Sequence, residues 1–344
     1  MKGRLLMLIM IPMLLFGCGT GKKQAEGDDA INFIFETDMG NDVDDALALD
    51  MIYKYHEAGK INLLAICLNK EGSASGEYID IMNTWYGHPD IPIGIIHDGA
   101  DCENDGVNYA KAVVNMKDQA GKPLFPRTLT DYDNLPESVQ LYRRILSEVP
   151  DKSVVIASVG FSTNLARLLQ TGPDKYSKLD GKALVEKKVK TLVTMAGNIT
   201  ELEHHEYNIV KDIPAAQVVF GQWPTPIVTS PFELGRQIKY PATSIEKDFT
   251  WAGPHPVVEG YKAYMPMPYD RDTWDLTAVL YAVEGDKWFS VSEPGEIKVS
   301  DEGSTFFTPS PEGARKYLSV DANQAEAIKN HFVEMISTPP ANRK

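Results

Sequence analysis

The stretch INFIFETDMGNDVDDALAL, residues 31–49, decides the reading of this chain. Its first seven residues, 31–37, are mostly apolar, β-branched or aromatic, the composition of a buried strand. From 45 to 58 the apolar residues recur at helical spacing. Between strand and helix, five carboxylates fall within ten residues: Glu36, Asp38, Asp42, Asp44 and Asp45. Like charges this close repel one another, and the usual remedies are protonation or a bound cation. Asp44 and Asp45 also stand at the positive end of the predicted helix, where acids are favoured. That capping role explains one or two of the five acids and leaves the others to a cation.

Oxygen donors without a neighbouring Cys or His cluster suit a hard ion, Ca²⁺ or Mg²⁺, better than zinc. The spacing is not that of an EF-hand, which needs alternate ligands, a central Gly and a distant Glu. Nor is it the Asp-x-Asp that follows the first strand of a haloacid-dehalogenase-type phosphatase, because Glu36 stands at the nucleophile's position.

Outward from this loop the alternation continues. Strands are predicted at 61–68, 91–95, 153–158, 189–194 and 226–230, and helices at 77–86, 137–149, 163–169 and 214–220. A βαβα series of this kind predicts an α/β domain, a mostly parallel central sheet with helices on both faces. Residues 96–135 and 236–273 are rich in Gly, Pro, Asp and Tyr and read as long loops or small insertions that roof a site. Asp38, Asn69, Val159-Gly160 and Met195 to Asn198 each follow a predicted strand. Those are carboxyl ends of an open parallel sheet, where ligands bind.

The first 30 residues read differently. Lys2 and Arg4 precede an apolar run, 5–16, too short to span a bilayer and suited to a signal-peptide core. It ends in Leu15-Phe16-Gly17-Cys18, which resembles a bacterial lipobox with Cys18 as the lipidated residue. An ordinary cleaved signal or an anchor helix is the alternative. Residues 19–30 are polar and read as a flexible tether, leaving 31–340 as one domain. The implied location is the bacterial cell envelope, on the periplasmic or surface side, with the lipid as the only membrane contact. The net charge of −14 argues against nucleic acid and against anionic membrane surfaces. Of the remaining cysteines, Cys67 lies in a strand-like run and Cys102 in a polar loop; a disulfide between them is compatible with an oxidising compartment.

Asp-Thr-Asp-x-Gly-x-Asp-Asp-Ala after a first strand is the signature of the nucleoside hydrolases, and residues 36–46 resemble it. Glu36 replaces the usual first Asp, and the loop is two residues longer, which leaves the part played by Asp42 open. The resemblance extends over most of the chain: Val159-Gly160-Phe161-Ser162-Thr163-Asn164, Met195-Ala196-Gly197-Asn198, Glu206-Tyr207-Asn208, Asp212 to Ala216, and Trp274-Asp275. It implies calcium held by Asp38, Asp45, the Val159 carbonyl and Asp275, with Asp38 as the general base. It implies sugar and substrate contacts from Asp44, Asn69, Met195, Glu206 and Asn208, with Asn198 as a further candidate. Many family members carry a His before the second metal Asp as leaving-group acid, whereas this chain has Trp274. Members with Trp there prefer purines, and an indole can stack on a departing base; the bland reading is a Trp that covers the helix start. His204-His205 reads as a solvent-exposed pair.

The function so implied is calcium-dependent hydrolysis of ribonucleosides to base and ribose, in a small-molecule enzyme that could form homo-oligomers. Two alternatives stay open: a lipoprotein of the same fold that binds nucleoside or ribose without turnover, and a hydrolase of another riboside.

Overall fold

The computed structural model describes residues 30–100 and 108–343. The predicted signal segment, Cys18, the tether and Cys102 lie outside them. Among the described residues twelve strands form in chain order. They are β1 (Ile31–Thr37), β2 (Ile61–Leu68), β3 (Ile93–Gly94), β4 (Val154–Ser158), β5 (Val189–Met195), β6 (Ile227–Ser230), β7 (Lys239–Tyr240), β8 (Arg271–Asp272), β9 (Ser290–Val291), β10 (Gly295–Val299), β11 (Thr305–Pro309) and β12 (Arg315–Ser319). Ten of them make one sheet in the order β11-β10-β12-β6-β5-β4-β1-β2-β3, with β9 beside β12. From β3 to β6 every pairing is parallel, and β12 joins β6 in parallel as well. The expected mostly parallel sheet is therefore present. An antiparallel extension of β9 to β11 around β12, which the sequence reading did not foresee, completes it.

Strand order reverses beside β1: the chain moves to β2 and β3 on one side, then returns to β4, β5 and β6 on the other. Loops leaving β1 and β4 at such a switch point diverge to opposite faces and open a crevice at the carboxyl ends. Side chains alternate along β1. Phe33 and Phe35 join the larger core with the helices Asp44–Glu57 and Trp274–Glu284. Ile34 points into the second core, with Cys67, Leu141 and Tyr142. Both faces of the sheet are covered by helices. Cys67 is a buried, free thiol that serves this packing, not a bridge.

Predicted and observed elements differ mostly at their ends. The helix predicted to start at 77 begins at Ser73, and the strand predicted over 91–95 is only Ile93–Gly94. The two predicted loop regions contain more order than expected. Residues 96–135 hold the helix Tyr109–Val114, and 236–273 hold the helices Ala242–Lys247 and Pro256–Tyr264 with the β7–β8 pair. Their sequences are short and rich in Pro and Tyr, so a helical period has little room to show. No helix among the described residues is long and apolar enough to cross a membrane.

The C-terminal helix Ala322–Ser337 docks on the helix Asp44–Glu57 through a buried lysine. Lys54 Nζ donates to the carbonyls of Met335 (3.0 Å) and Ile336 (2.6 Å) and pairs with Asp50 at 2.8 Å. These carbonyls belong to the last helical turn, which lacks partners of its own. Lys54→Ala is expected to cost about 3 kcal/mol, because it strands Asp50 and both carbonyls. Urea unfolding measures this, and a loss below about 1 kcal/mol would show that water replaces the ammonium freely.

Candidate active site

At the switch point the loops after β1, β4 and β5 surround a cavity of about 230 Å³, small-molecule in scale. Asp38 enters it from the end of β1, and Asp44 and Asp45 from the first turn of the next helix. Asp275 comes from the first turn of the helix Trp274–Glu284. Two helix N-termini thus face the same acids, and their positive ends make the concentration of negative charge tolerable. One contact joins them directly: the Asp275 backbone N–H donates to Asp44 Oδ2 at 3.0 Å. Thr37 holds Asp45 by donating its hydroxyl to Oδ1, and accepts from the Met39 N–H at 3.0 Å. Gly160 lets β4 come close, since a Cβ there would stand 2.5 Å from Asn69 Oδ1 and 2.8 Å from Asp38.

The two remaining acids of the loop are taken up by other side chains. Glu36 lies on the opposite face of β1, fully buried, where it accepts from Tyr142 Oη and, at 3.3 Å, from Asn69 Nδ2. Burial pushes its carboxyl up to about 7, against the pull of those donors. Asp42 pairs with Arg271, whose Nε donates to Oδ1 at 2.7 Å and whose Nη2 donates to Oδ2. Asp42 lines the cavity with its carboxylate engaged by this arginine.

Burial raises Asp38 to about 7, opposed first by the charge of Lys70. Asp44, Asp45 and Asp275 are raised well above the carboxylate range, first by burial and then by neighbouring charge: that of Asp42 for Asp44, of Asp38 for Asp45, and of Asp44 for Asp275. Such a group of acids is uncomfortable without a counter-charge. Among the described residues no three Asp, Glu, His or Cys side chains already have the spacing that holds a metal ion. The donor chemistry nevertheless fits one: buried carboxylate oxygens that repel each other, beside the main-chain carbonyl of Val159, are ligands for a hard divalent cation.

Across the cavity, Glu206 caps the helix Tyr207–Val210 and accepts from the N–H groups of Asn208 (2.8 Å), Gly197 (3.0 Å) and Ile209 (3.1 Å). Burial still pushes it up to about 7. Asn208 Nδ2 ties two strand ends together, donating to the carbonyls of Val159 (3.0 Å) and Met195 (3.1 Å). A carbonyl has two lone pairs, so Val159 can accept this bond and face an ion as well. Gly197 turns with φ +80°, and the backbone of Asn198 is gripped by Thr305 of β11, which accepts from its N–H (2.8 Å) and donates to its carbonyl (2.7 Å).

Of the residues singled out from sequence, Asp38, Asp44, Asp45, Val159, Met195, Glu206, Asn208, Trp274 and Asp275 line this one cavity. Asn69 and Asn198 do not; Asn69 lies beneath it against Glu36 and Gly160, and Asn198 serves its own turn, accepting from the Glu201 N–H at 2.9 Å. The wall at Trp274 was only partly foreseen. Phe232 stacks on the indole with centroids 5.5 Å apart, and Tyr264 lines the same side. Trp274 Nε1 donates to the Phe232 carbonyl at 2.9 Å. His204 is exposed, as expected, and stacks on Phe232 at 4.0 Å. Lys70 and Arg271 were missed. The signal available for Lys70 was a charged residue directly after the Asn at the end of β2; Arg271 had only its place in a segment expected to roof the site.

The model of the inosine-uridine preferring nucleoside hydrolase family matches residues 33–330. The chain belongs to that family. Nucleoside hydrolases cleave the N-glycosidic bond of ribonucleosides and are typically metal-dependent, so this chain is an N-glycosyl hydrolase. Solved nucleoside hydrolases share the fold at low identity. A plant nucleoside hydrolase superposes with TM-score 0.67 at 16% identity, covering 90% of this chain and 99% of its own. A purine-preferring ribonucleoside hydrolase from Gardnerella vaginalis gives 0.67 at 17% identity, with 89% and 98% covered. The type III effector protein XopQ, solved with adenosine diphosphate ribose, gives 0.63 at 14% identity, with 91% and 96% covered. No curated protein matches the chain by sequence.

The raised carboxyls of this nucleoside hydrolase give a pH prediction for the metal-free protein. Unfolded carboxyls lose their protons near pH ~4, whereas Asp38 and Glu206 keep theirs to about 7. Between those values the folded state binds more protons, so stability is complete below the unfolded pKa and is lost as pH rises through the folded one. With chelator present, Tm is expected to fall from pH 5 to pH 8, and a saturating divalent cation to restore it most at pH 8. A chelated Tm that stays level across this window would mean that the carboxylates are already neutralised by the protein.

Proposed function

We propose that this nucleoside hydrolase is a calcium-dependent, purine-leaning ribonucleosidase, exported and held at the bacterial cell envelope by a lipid on Cys18. The observation that carries the activity is the sharing of one cavity by Asp38, Asp44, Asp45 and Asp275 with Glu206 and Asn208 on one side and an aromatic wall on the other. Carboxylates beside a polar pair suit a ribose, and stacked rings suit a base. The XopQ structure supports a ribosyl ligand in this fold, since that neighbour was solved with adenosine diphosphate ribose.

Asp38, Asp45, Asp275 and the Val159 carbonyl would hold the calcium ion. When bound, it would supply positive charge that acidifies water and orients the sugar hydroxyls. The protein's own groups do the rest. Asp38 takes the proton as water oxygen bonds to the anomeric carbon. The C–N bond breaks through an oxocarbenium-like state, and its electron pair leaves with the base, which takes a proton from solvent water as it departs while Asp38 returns its proton to solvent. Asp44, Glu206 and Asn208 orient the sugar. Phe232, Tyr264 and Trp274 together form the base side, and Trp274 meets the base as part of that wall, since Phe232 and Arg271 already engage its ring.

The test is reducing-sugar release by the purified protein from inosine, adenosine, guanosine and uridine, with calcium and with chelator. Calcium-dependent release, fastest from the purines, is expected. Asp38→Ala should lower kcat at least ~10²-fold with the fold intact, and an unchanged kcat would remove Asp38 as the base. Binding of nucleoside without any release would favour the reading as a binding lipoprotein.

A further inference from the structure

Arg271 lies outside the cavity, yet three of its contacts line it. The guanidinium forks onto Asp42, with Nε donating at 2.7 Å and Nη2 to the other oxygen. Its Cζ also stands 5.0 Å from the ring centroids of both Tyr264 and Trp274. Asp42, Tyr264 and Trp274 come from three separate places in the chain: the acidic loop, the end of the helix Pro256–Tyr264 and the start of the helix Trp274–Glu284. One planar cation therefore joins all three. The rest of the Trp274 environment is equally fixed, by the bond from Nε1 to the Phe232 carbonyl and by Gly235, where a Cβ would overlap the indole.

The geometry points to Arg271 as a positioning residue for substrate specificity: through Asp42 it anchors the acidic loop, and through Tyr264 and Trp274 it sets the aromatic wall that receives the nucleobase. This rests on the reading of the cavity as a ribonucleoside site. The chemistry demands arginine in particular. A carboxylate held by two parallel donors and two rings lying against one flat cation require a planar, delocalised fork. A lysine at the same place would keep the charge beside Asp42 and lose both the fork and the stacking surface. A general counter-charge for the acid cluster would be satisfied by either residue, so the two roles separate cleanly.

The experiment compares wild type with Arg271→Lys, Arg271→Met, Asp42→Asn and the Asp42→Asn/Arg271→Met double variant, each checked for folding by thermal melt. The readouts are KM and kcat for inosine and guanosine, and the inhibition constant of free ribose, which reports the sugar end alone. Arg271→Lys and Arg271→Met are both expected to raise KM about tenfold, with kcat and the ribose constant each within about twofold of wild type. Asp42→Asn should add little in the Arg271→Met background, because its partner is already gone. A KM for Arg271→Lys within about twofold of wild type would overturn the proposal and leave charge compensation as the role. So would a ribose constant that rises in parallel with KM, which would mean collapse of the whole cavity. Wild-type turnover is read first and judges the activity separately. If wild type binds nucleosides without cleaving them, Kd replaces KM in the same comparison, and if it neither binds nor cleaves, both readings fail.

Discussion

The mutual repulsion of four buried carboxylates is the constraint on which the rest of this structure turns. Asp38, Asp44, Asp45 and Asp275 share one cavity and push one another's protons on. The fold offsets this in three ways. It aims two helix N-termini at the cluster, and it threads a backbone N–H from one helix onto an acid of the other. It also places a cation beside each flank: Lys70 beside Asp38, and Arg271 beside Asp42 and Asp44. What remains uncompensated is the electrostatic demand that a hard divalent cation would meet.

That demand is shaped by sorting the acids of a single loop. Alternation along β1 sends Glu36 through the sheet to Tyr142, where it becomes part of a buried hydrogen-bond network with no access to the cavity. Asp42 stays at the rim, committed to Arg271. Asp38, Asp44 and Asp45 are left to face Asp275. Charge density in the sequence therefore overstated the number of acids available to an ion. A strand residue's face and an arginine more than two hundred residues away decide which of them are free.

The opposite half of the cavity is built by backbone accounting. Glu206 accepts from three N–H groups, Asn208 bridges the carbonyl ends of β4 and β5, and Thr305 secures the turn at Asn198. The late antiparallel strands thus have a local purpose, because β11 delivers Thr305 to a turn formed more than a hundred residues earlier. These groups are held by the protein itself, which is the condition for orienting the ribose that the proposed function assigns to them.

The alternating strands and helices, the acidic loop and the Trp-Asp pair were legible in the sequence, because each is a local pattern with a local physical cause: period, propensity and charge crowding. They were enough to show a parallel α/β sheet with its polar residues at the carboxyl ends, and enough to show the family resemblance. The short helices within 96–135 and 236–273 were not legible, since a turn or two of helix carries no readable period. Neither were the exclusion of Asn69 from the cavity, the separate fates of Glu36 and Asp42, nor the place of Arg271 between two rings. These depend on which face a residue takes once the sheet is assembled and on which distant side chain then lies within hydrogen-bond reach. Local spacing determined that this protein would gather acids at a strand end; only the packed fold decided which acids face the cavity and what stands across from them.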